Sequence, residues 1–397
     1  MSPLSLATHL GQENFLAGVL HRRHLHIPGA VSAPQNLLTW DQVNDIISTH
    51  RLEPPRMRLM VGGEMVPLHR YTEAVTTRRN TVWHRVHPAQ LHECLDEGAS
   101  LVLDSMDEIS QPIGSLAVEL ERLLRAPVQT NVYASVRALP GFKIHWDAHD
   151  VIVIQLDGKK HWKIYGPTRP APLYRDVADP EEPAEPPLDE VVLEPGDLLY
   201  VPRGWWHSVA ATEGTPSLHA TFGLRPATGA QLLEWIADAL REEEVFRLDL
   251  PIHDSAADQQ EHLRDLGARV AQMFADPRLL HRFAEERDST SLNRLRTSLP
   301  YVSDIPSDPE LRVRLLTATP LLDTSRPDDV IVFRACGKEW EMSIEARPLL
   351  QALIDTGPHS VSLGELADSS GLGLSDVAMV VSDLVRGQAA SAGRSLP

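Results

Sequence analysis

The chain has 397 residues, with 55 acidic residues against 37 lysines and arginines, and a formal net charge of −18. This balance argues against a general nucleic-acid-binding protein, which needs a basic face to displace counterions, and is compatible with a basic protein or peptide as partner. Cys94 and Cys336 are too few for a disulfide framework or a cysteine-rich zinc site.

The sequence contains no stretch that approaches the roughly 18 apolar residues of a membrane span. The first residues also lack the basic and apolar pattern of a secretory signal. We therefore expect a cytoplasmic protein without a membrane segment, long enough for two or three domains.

The first 50 residues are predicted to form helix and loop. Apolar residues recur at helical spacing from Glu13 until Pro28-Gly29, and a second helix is expected from an N-cap at Thr39 to Ile47. Three histidines in the first stretch, His21, His24 and His26, are not expected to bind metal, because nothing acidic or sulfur-bearing accompanies them.

The next hundred residues alternate strand and helix patterns. Gly62-Gly63 separates two apolar runs and predicts a hairpin over 56–68. A helix over 87–98, a buried strand over 100–104 and a helix over 113–124 follow.

Several short strands are then expected, at 128–135, 141–165, 189–202 and 217–224, separated by glycine and proline turns. The Pro- and acid-rich segment from Pro167 to Glu190 reads as a long exposed loop. Strands of this length and spacing predict a barrel of the jelly-roll type.

After Pro226 the pattern becomes helical, over 229–246 and 256–287. The last hundred residues mix a strand pair, 330–335 and 338–343, with short helices at 346–355, 363–367 and 375–385. These helices are not expected to bind DNA, because Asp376, Asp383 and the scarcity of basic residues leave no phosphate-contacting helix.

His145 and Asp147 are two apart, so on extended chain their side chains lie on the same side. A third ligand is found at His207, after the motif Glu194-Pro-Gly-Asp-Leu-Leu-Tyr-Val-Pro-Arg-Gly204. Two histidines and one carboxylate form the facial triad of non-haem Fe(II) oxygenases, which leaves positions for an oxo-acid and dioxygen. The triad alone is also compatible with zinc, manganese or no metal.

A competing arrangement pairs His145 with His149, four residues apart as on the helix of a zinc hydrolase. The following run Val151-Ile-Val-Ile154 is short and β-branched, and no glutamate follows His145. We therefore favour the strand.

These motifs together resemble the JmjC-type, cupin-fold ribosomal oxygenases, which are Fe(II)/2-oxoglutarate protein hydroxylases. The resembling segments are Thr130-Asn-Val-Tyr133, the His-x-Asp pair, Asp150 to Tyr165, and the Pro-Gly-Asp to His207 motif, in that order. The resemblance implies an α+β fold: a double-stranded β-helix (jelly-roll or cupin) over 1–228, a helical dimerisation region over 229–300, and a winged-helix-like domain over 301–397. It also implies a homodimer.

The resemblance assigns roles to individual residues. His145, Asp147 and His207 match the iron ligands, and Lys160 matches the basic residue that pairs with the distal carboxylate of 2-oxoglutarate. Asn131 matches a further cosubstrate contact, as does Thr221 if a one-residue gap is allowed. Tyr133 is expected either to line the same pocket or to sit in the core.

The other prominent residues receive structural interpretations. Four tryptophans are expected to pack the barrel wall or rim, with substrate stacking as an alternative for those beside ligands: Trp146, Trp162, Trp205 and Trp206. His149, His161 and His219 are interpreted as structural. Asp150 is a candidate to orient a ligand histidine or to contact a basic substrate.

The resemblance implies that the protein hydroxylates a side chain, histidine or arginine, in a ribosomal protein or a ribosomally made peptide. Two alternatives remain: a demethylase of methylated lysine, which uses the same iron chemistry, and a non-enzymatic cupin that acts as a regulator through its winged helix.

Overall fold

A computed structural model of the chain describes residue 10 and residues 13–80, 82–173, 181–212, 214–225, 227–290, 294, 296–325 and 329–396. The chain divides into two compact units, residues 1–225 and 226–397. The three-part division at 228 and 300 stays a prediction. Among the described helices, none combines the length and apolar character needed to cross a bilayer.

The first unit contains most of the strands. Its helices are α1 (Glu13–Gly18), α2 (Trp40–Thr49), α3 (Pro88–Asp96), α4 (Met106–Ile109) and α5 (Gln111–Leu124). Its strands are β1 (Leu25–Ile27), β2 (Met57–Val61), β3 (Glu64–Met65), β4 (Thr72–Thr76), β5 (Val82–Val86), β6 (Ser100–Leu103), β7 (Val128–Ser135), β8 (Asp150–Asp157), β9 (Lys160–Gly166), β10 (Asp189–Leu193), β11 (Leu198–Val201), β12 (Trp206–Ala211) and β13 (Ser217–Leu224).

Two antiparallel sheets form the jelly roll. The larger has the strand order β1-β11-β8-β13-β7-β6-β2-β3, and the smaller has the order β10-β9-β12. Side chains on one face of β8, such as Ile152 and Ile154, join a core with the helices. Those on its other face, such as Val151 and Val153, pack with Trp162 of the small sheet. The predicted α+β jelly-roll fold is confirmed.

The N-terminal segment differs from its prediction. Helix α1 ends at Gly18, and β1 instead pairs with β11 at the edge of the large sheet. The three histidines each contact a different aspartate of the barrel: His21–Asp150 at 2.6 Å, His24–Asp189 at 2.9 Å and His26–Asp197 at 3.1 Å. These aspartates lie more than 120 residues along the chain, so local sequence contained no sign of them.

The turn between β8 and β9 depends on Gly158. Its φ is +63°, and a Cβ placed there lies 1.7 Å from the carbonyl oxygen of Pro216. We expect Gly158→Ala to lower the free energy of unfolding by more than about 2 kcal/mol, because a left-handed backbone and a backbone clash add.

Gly62 is the matched control for this change. It has a φ of +56° with nothing within 4 Å of the added Cβ, so Gly62→Ala carries only the backbone cost of about 1 kcal/mol. Urea unfolding of both variants measures the difference. Equal losses would show that the contact with Pro216 contributes nothing.

The second unit combines helices with two small sheets. Its helices are α6 (Gly229–Leu240), α7 (Ala256–Ala275), α8 (Leu279–Thr290), α9 (Arg347–Thr356), α10 (Leu363–Ser370) and α11 (Leu374–Arg386). Its strands are β14 (Arg312–Leu315), β15 (Leu321–Asp323), β16 (Val330–Ala335), β17 (Lys338–Ser343), β18 (Val361–Ser362) and β19 (Ala390–Gly393). The sheets have the orders β18-β14-β19 and β15-β16-β17. Leu349, Leu366 and Val381 of α9, α10 and α11 share one core with them.

Candidate metal and anion site

The predicted triad comes together inside the jelly roll. The donor atoms of His145, Asp147 and His207 all lie within 4.8 Å of one another. His207 is at the start of β12, and its backbone exchanges hydrogen bonds with His145, with N···O distances of 3.1 and 2.8 Å. Asp147 is held by its carbonyl oxygen, which accepts a hydrogen bond from the backbone N–H of Gly204 at 2.9 Å. Backbone pairing therefore places all three side chains at one point.

Both histidines expose the same nitrogen to this point. Nδ1 of His145 lies 2.9 Å from the carbonyl oxygen of Lys143, and Nδ1 of His207 lies 3.0 Å from that of Trp205. A carbonyl oxygen only accepts, so each Nδ1 carries the proton and each Nε2 keeps a free lone pair. In metal sites, a hydrogen bond from the nitrogen that does not bind the metal orients each histidine ligand. The donor set therefore fits a divalent metal.

The electrostatics of His207 also suit a metal ligand. Burial, and then the neighbouring His145, lower its pKa to about 4, although Asp147 opposes this. The imidazole is therefore neutral at pH 7, which is the form that coordinates a cation.

The residues after the His-x-Asp pair do not join the triad. Residues 145–149 are not helical, so the zinc-hydrolase interpretation of His145 and His149 is wrong. Asp150 accepts hydrogen bonds from Tyr200 Oη at 2.5 Å and from the Arg203 backbone at 2.9 Å, besides its contact with His21. Burial opposes ionisation of Asp150, but these three donors hold its pKa below the usual range. Asp150 thus fixes the loop before His207, and contacts neither ligand histidine among the described residues.

Lys160 is a buried cation without a counter-charge. Its side chain is 4% exposed, and Nζ donates to Ser135 Oγ at 2.8 Å, which lies 2.8 Å from Ser100 Oγ. In the described part of the chain no carboxylate lies within ion-pair distance of Nζ. Burial lowers the pKa of Lys160 to about 8. A buried ammonium of this kind requires an anion to compensate it.

Asn131, Tyr133 and Thr221 lie on the faces of neighbouring strands. Thr221 is directly opposite Asn131 in the pairing of β13 with β7. The Oδ1 atom of Asn131 accepts from the Ser105 backbone N–H at 3.2 Å. Alternation along β7 puts Asn131 and Tyr133 on the same face as Ser135. These side chains thus lie on the same strand faces as Ser135, which accepts the hydrogen bond from Lys160. Their roles in binding a cosubstrate stay predictions.

His219, which the sequence analysis interprets as structural, contacts Tyr133. Its ring stacks on Tyr133, with centroids 5.0 Å apart and planes at 7°. Burial, and then Lys160, lower its pKa well below the usual range. Its Nδ1 is buried and has no hydrogen-bond partner among the described residues. The same holds for Nε1 of Trp162, whose ring stacks on His207. The alternation of β13 contained the signal, because His219 shares a face with Thr221.

The tryptophans largely follow their structural interpretation. Trp146, Trp162 and Trp206 are buried. Trp206 Nε1 donates to Thr168 Oγ1 at 2.9 Å, and Trp205 lies against His24 with ring centroids 5.4 Å apart. Buried rings with fixed neighbours favour packing over substrate stacking.

A jelly roll with two histidines and one carboxylate converging in its interior defines the class of cupin metalloproteins. Comparison with known proteins specifies the family further: residues 110–232 match the JmjC domain. A bifunctional lysine-specific demethylase and histidyl-hydroxylase NO66 from Aedes aegypti is 34% identical over 143 residues, covering 35% of this chain and 22% of that protein. Ribosomal oxygenase 1 from Gallus gallus is 33% identical over 162 residues, covering 40% of this chain and 27% of that protein.

Among solved structures, Escherichia coli YcfD matches with a TM-score of 0.61 and 19% identity, over 96% of this chain and 97% of that chain. YcfD is described as a ribosomal oxygenase, and one structure holds cobalt and 2-oxoglutarate. Residues 110–232 thus match the JmjC domain, and the chain shares the fold of YcfD, in agreement with the resemblance that the sequence motifs indicate. It matches only about a quarter of the length of the insect and chicken relatives.

Proposed function

We propose that the protein is an Fe(II)- and 2-oxoglutarate-dependent oxygenase that hydroxylates a side chain, histidine or arginine, in a ribosomal protein or a ribosomally synthesised peptide. The observation that carries this proposal is the presence, inside the same jelly roll, of a two-histidine, one-carboxylate set and a buried lysine that has no carboxylate partner among the described residues. A structure of YcfD holds cobalt and 2-oxoglutarate, and this supports the binding of a divalent metal and 2-oxoglutarate in the present protein.

The distance between the metal-ligand set and Lys160 suits a small dicarboxylate. His207 is opposite Ile164, and Lys160 is opposite Ala211, four residues further along the paired strands. At about 3.3 Å per residue, the two positions are about 13 Å apart along the sheet. A dicarboxylate lying between them presents one carboxylate to the metal donors and the other to the ammonium group.

Each residue has a separate task in this proposal. His145, Asp147 and His207 would hold Fe(II), and Lys160 would orient the distal carboxylate with Ser135 holding the ammonium in place. The unpartnered Nδ1 of His219 offers a further polar contact. When bound, iron with 2-oxoglutarate supplies the oxidative activation of dioxygen needed to hydroxylate a C–H bond.

The test is turnover. Purified protein is loaded with Fe(II) under anaerobic conditions, and 2-oxoglutarate, oxygen and basic ribosomal peptides or peptide precursors are added. We expect succinate in step with a peptide product heavier by one oxygen atom. Absence of both across the substrate panel, with iron bound, would rule out the hydroxylase and favour the non-enzymatic regulator.

Lysine demethylation is the second candidate, because a relative is named both a lysine-specific demethylase and a histidyl-hydroxylase. The same assay with methylated peptides separates the two reactions by mass. Demethylation gives a product lighter by one methylene group, whereas hydroxylation adds one oxygen atom.

The substrate is expected to be basic, given the net charge of −18. We propose that the loop 167–190 at the rim of the barrel selects the substrate. Residues 174–180 of this loop lie outside the described residues. We also propose that the protein is cytoplasmic and that it does not bind nucleic acid directly.

A homodimer through 229–300 is also proposed. The helices of this region expose large apolar side chains, including Leu233 (53%), Leu263 (63%) and Leu280 (68%). Exposed apolar groups of this size favour association. Sedimentation at micromolar concentration is expected to show a dimer, and a monomer with intact helices would contradict this.

A further inference from the structure

Two arginines of the second unit lie together without a carboxylate partner. Arg314 is in β14, the central strand of its sheet, where Nη1 donates to the carbonyl oxygen of Pro358 at 3.3 Å. Arg296 precedes this sheet in the chain and is partly buried. Among the residues that the structure describes, neither guanidinium is within ion-pair distance of an acidic group. Each of these partly buried cations therefore lacks a carboxylate partner among the described residues.

The backbone brings these arginines to the same strands. Ser298, two residues after Arg296, accepts a hydrogen bond at Oγ from the backbone N–H of Ala392 in β19, at 3.1 Å. Ala392 pairs with Val313, next to Arg314. Burial first, and then the charges of Arg296 and Arg294, lower the pKa of Arg314 to about 10. The segment that carries Arg296 therefore lies beside the strand pair that carries Arg314.

A neighbouring arginine shows what ordinary pairing on this sheet looks like. Arg312 has its Nε 2.7 Å from Ser360 Oγ and its Nη1 4.0 Å from Glu365 Oε2. With 55 acidic residues in the chain, carboxylates are not scarce. The lack of a described carboxylate beside Arg314 and Arg296 therefore distinguishes them from Arg312.

A buried hydroxyl lies beside the pair. Ser391 is directly opposite Arg314 in the pairing of β14 with β19, so both side chains lie on the same face of the sheet. The residue is 0% exposed, and its Oγ has no hydrogen-bond partner in the part of the chain that the structure describes. A buried hydroxyl without a partner destabilises the fold unless a ligand or water satisfies it.

We propose that Arg314, Arg296 and Ser391 form a binding site for the phosphate group of a small ligand. Guanidinium forks match phosphate oxygens with paired hydrogen bonds, and a hydroxyl donates a further one. A phosphate monoester carries close to two negative charges, which balances two arginines, whereas a single carboxylate leaves one uncompensated. A polynucleotide is disfavoured, because a net charge of −18 repels a long row of phosphates.

Isothermal titration of the full chain with inorganic phosphate, at constant ionic strength, tests this site. We expect one equivalent to bind, and Arg314→Gln to weaken binding about tenfold or more, since it removes a charged donor. Arg296→Gln and Ser391→Ala should weaken it less. Arg386→Gln, in the same unit but paired with Asp383, is the matched control and should leave binding unchanged.

The buried lysine of the first unit is a second place for an anion, so the titration is repeated with Lys160→Met. Phosphate binding that survives this change but not Arg314→Gln supports the proposed site. Binding that is lost with Lys160→Met, or that is unchanged in Arg296→Gln and Ser391→Ala, overturns it. Stronger binding of acetate or of an oligonucleotide than of phosphate also overturns it. If Arg314→Gln does not fold by circular dichroism, the other two variants decide. The outcome is independent of the proposed oxygenase activity.

Discussion

Replacing His207 with alanine is expected to lower the affinity for divalent metal by more than about a hundredfold and to abolish 2-oxoglutarate turnover. Residues that only support metal ligands already contribute 10- to 100-fold, so loss of a ligand exceeds that range. His207 is also the triad member that lies farthest along the chain from the other two. Binding of Mn²⁺, followed by electron paramagnetic resonance, measures the affinity without oxidation of the metal.

His149→Ala is the matched control for His207→Ala. His149 follows Asp147 by two residues, and its ring lies against Gly223, where an added Cβ would come within 2.5 Å of Nε2. It is not part of the triad. We expect His149→Ala to keep metal affinity within a few-fold. Equal losses in both variants would argue that the triad is not the metal site.

Lys160→Met is expected to raise the KM for 2-oxoglutarate by about a hundredfold, while the ligand-free protein becomes more stable. The first effect follows from removing the proposed counter-charge for the distal carboxylate. The second follows from burial: the fall in the pKa of Lys160 from 10.5 to about 8 corresponds to about 3 kcal/mol as an upper limit. Methionine keeps the length of the side chain without the charge.

The stability gain should depend on pH in a defined direction. Below pH 8, Lys160 is charged in both the folded and the unfolded chain, so its burial costs the full amount. Between pH 8 and 10.5 the folded chain releases the proton before the unfolded chain does, and the cost disappears. The advantage of Lys160→Met is therefore largest at neutral pH and absent above 10.5.

Chemical unfolding at pH 7 and pH 10.5 measures this difference. Lys163→Met, on the opposite face of β9 and partly exposed, is the control and should show neither effect. A less stable Lys160→Met at pH 7 would mean that the hydrogen bond to Ser135 outweighs the cost of burying the charge.

The strand arrangement around the site was largely predictable from sequence. β7 spans the predicted residues 128–135, and the strand pair β16–β17 also has its predicted bounds. Glycine and proline turns separate these runs, so local preferences and the final fold agree there. The triad was predictable for the same reason, because two ligands lie two residues apart and the third follows a turn motif.

Contacts between distant segments were not predictable. Asp150 was a candidate second contact for a ligand histidine, yet its partners are His21, Tyr200 and Arg203. The strand β1 was expected to be helix, because periodicity over a short apolar run does not separate the two. Pairing with β11, 170 residues away, decided its conformation.

The eight-stranded sheet has a consequence for anyone who shortens this protein. The JmjC match covers residues 110–232, but β1 on one edge and β6, β2 and β3 on the other lie before it. Ser100 of β6 contacts the serine that holds Lys160, and His21 contacts the aspartate that fixes the loop before His207. The smallest piece able to carry the candidate site is therefore larger than the segment that matches the JmjC domain. Trimming the chain to residues 110–232 would remove supporting strands on both sides of the site.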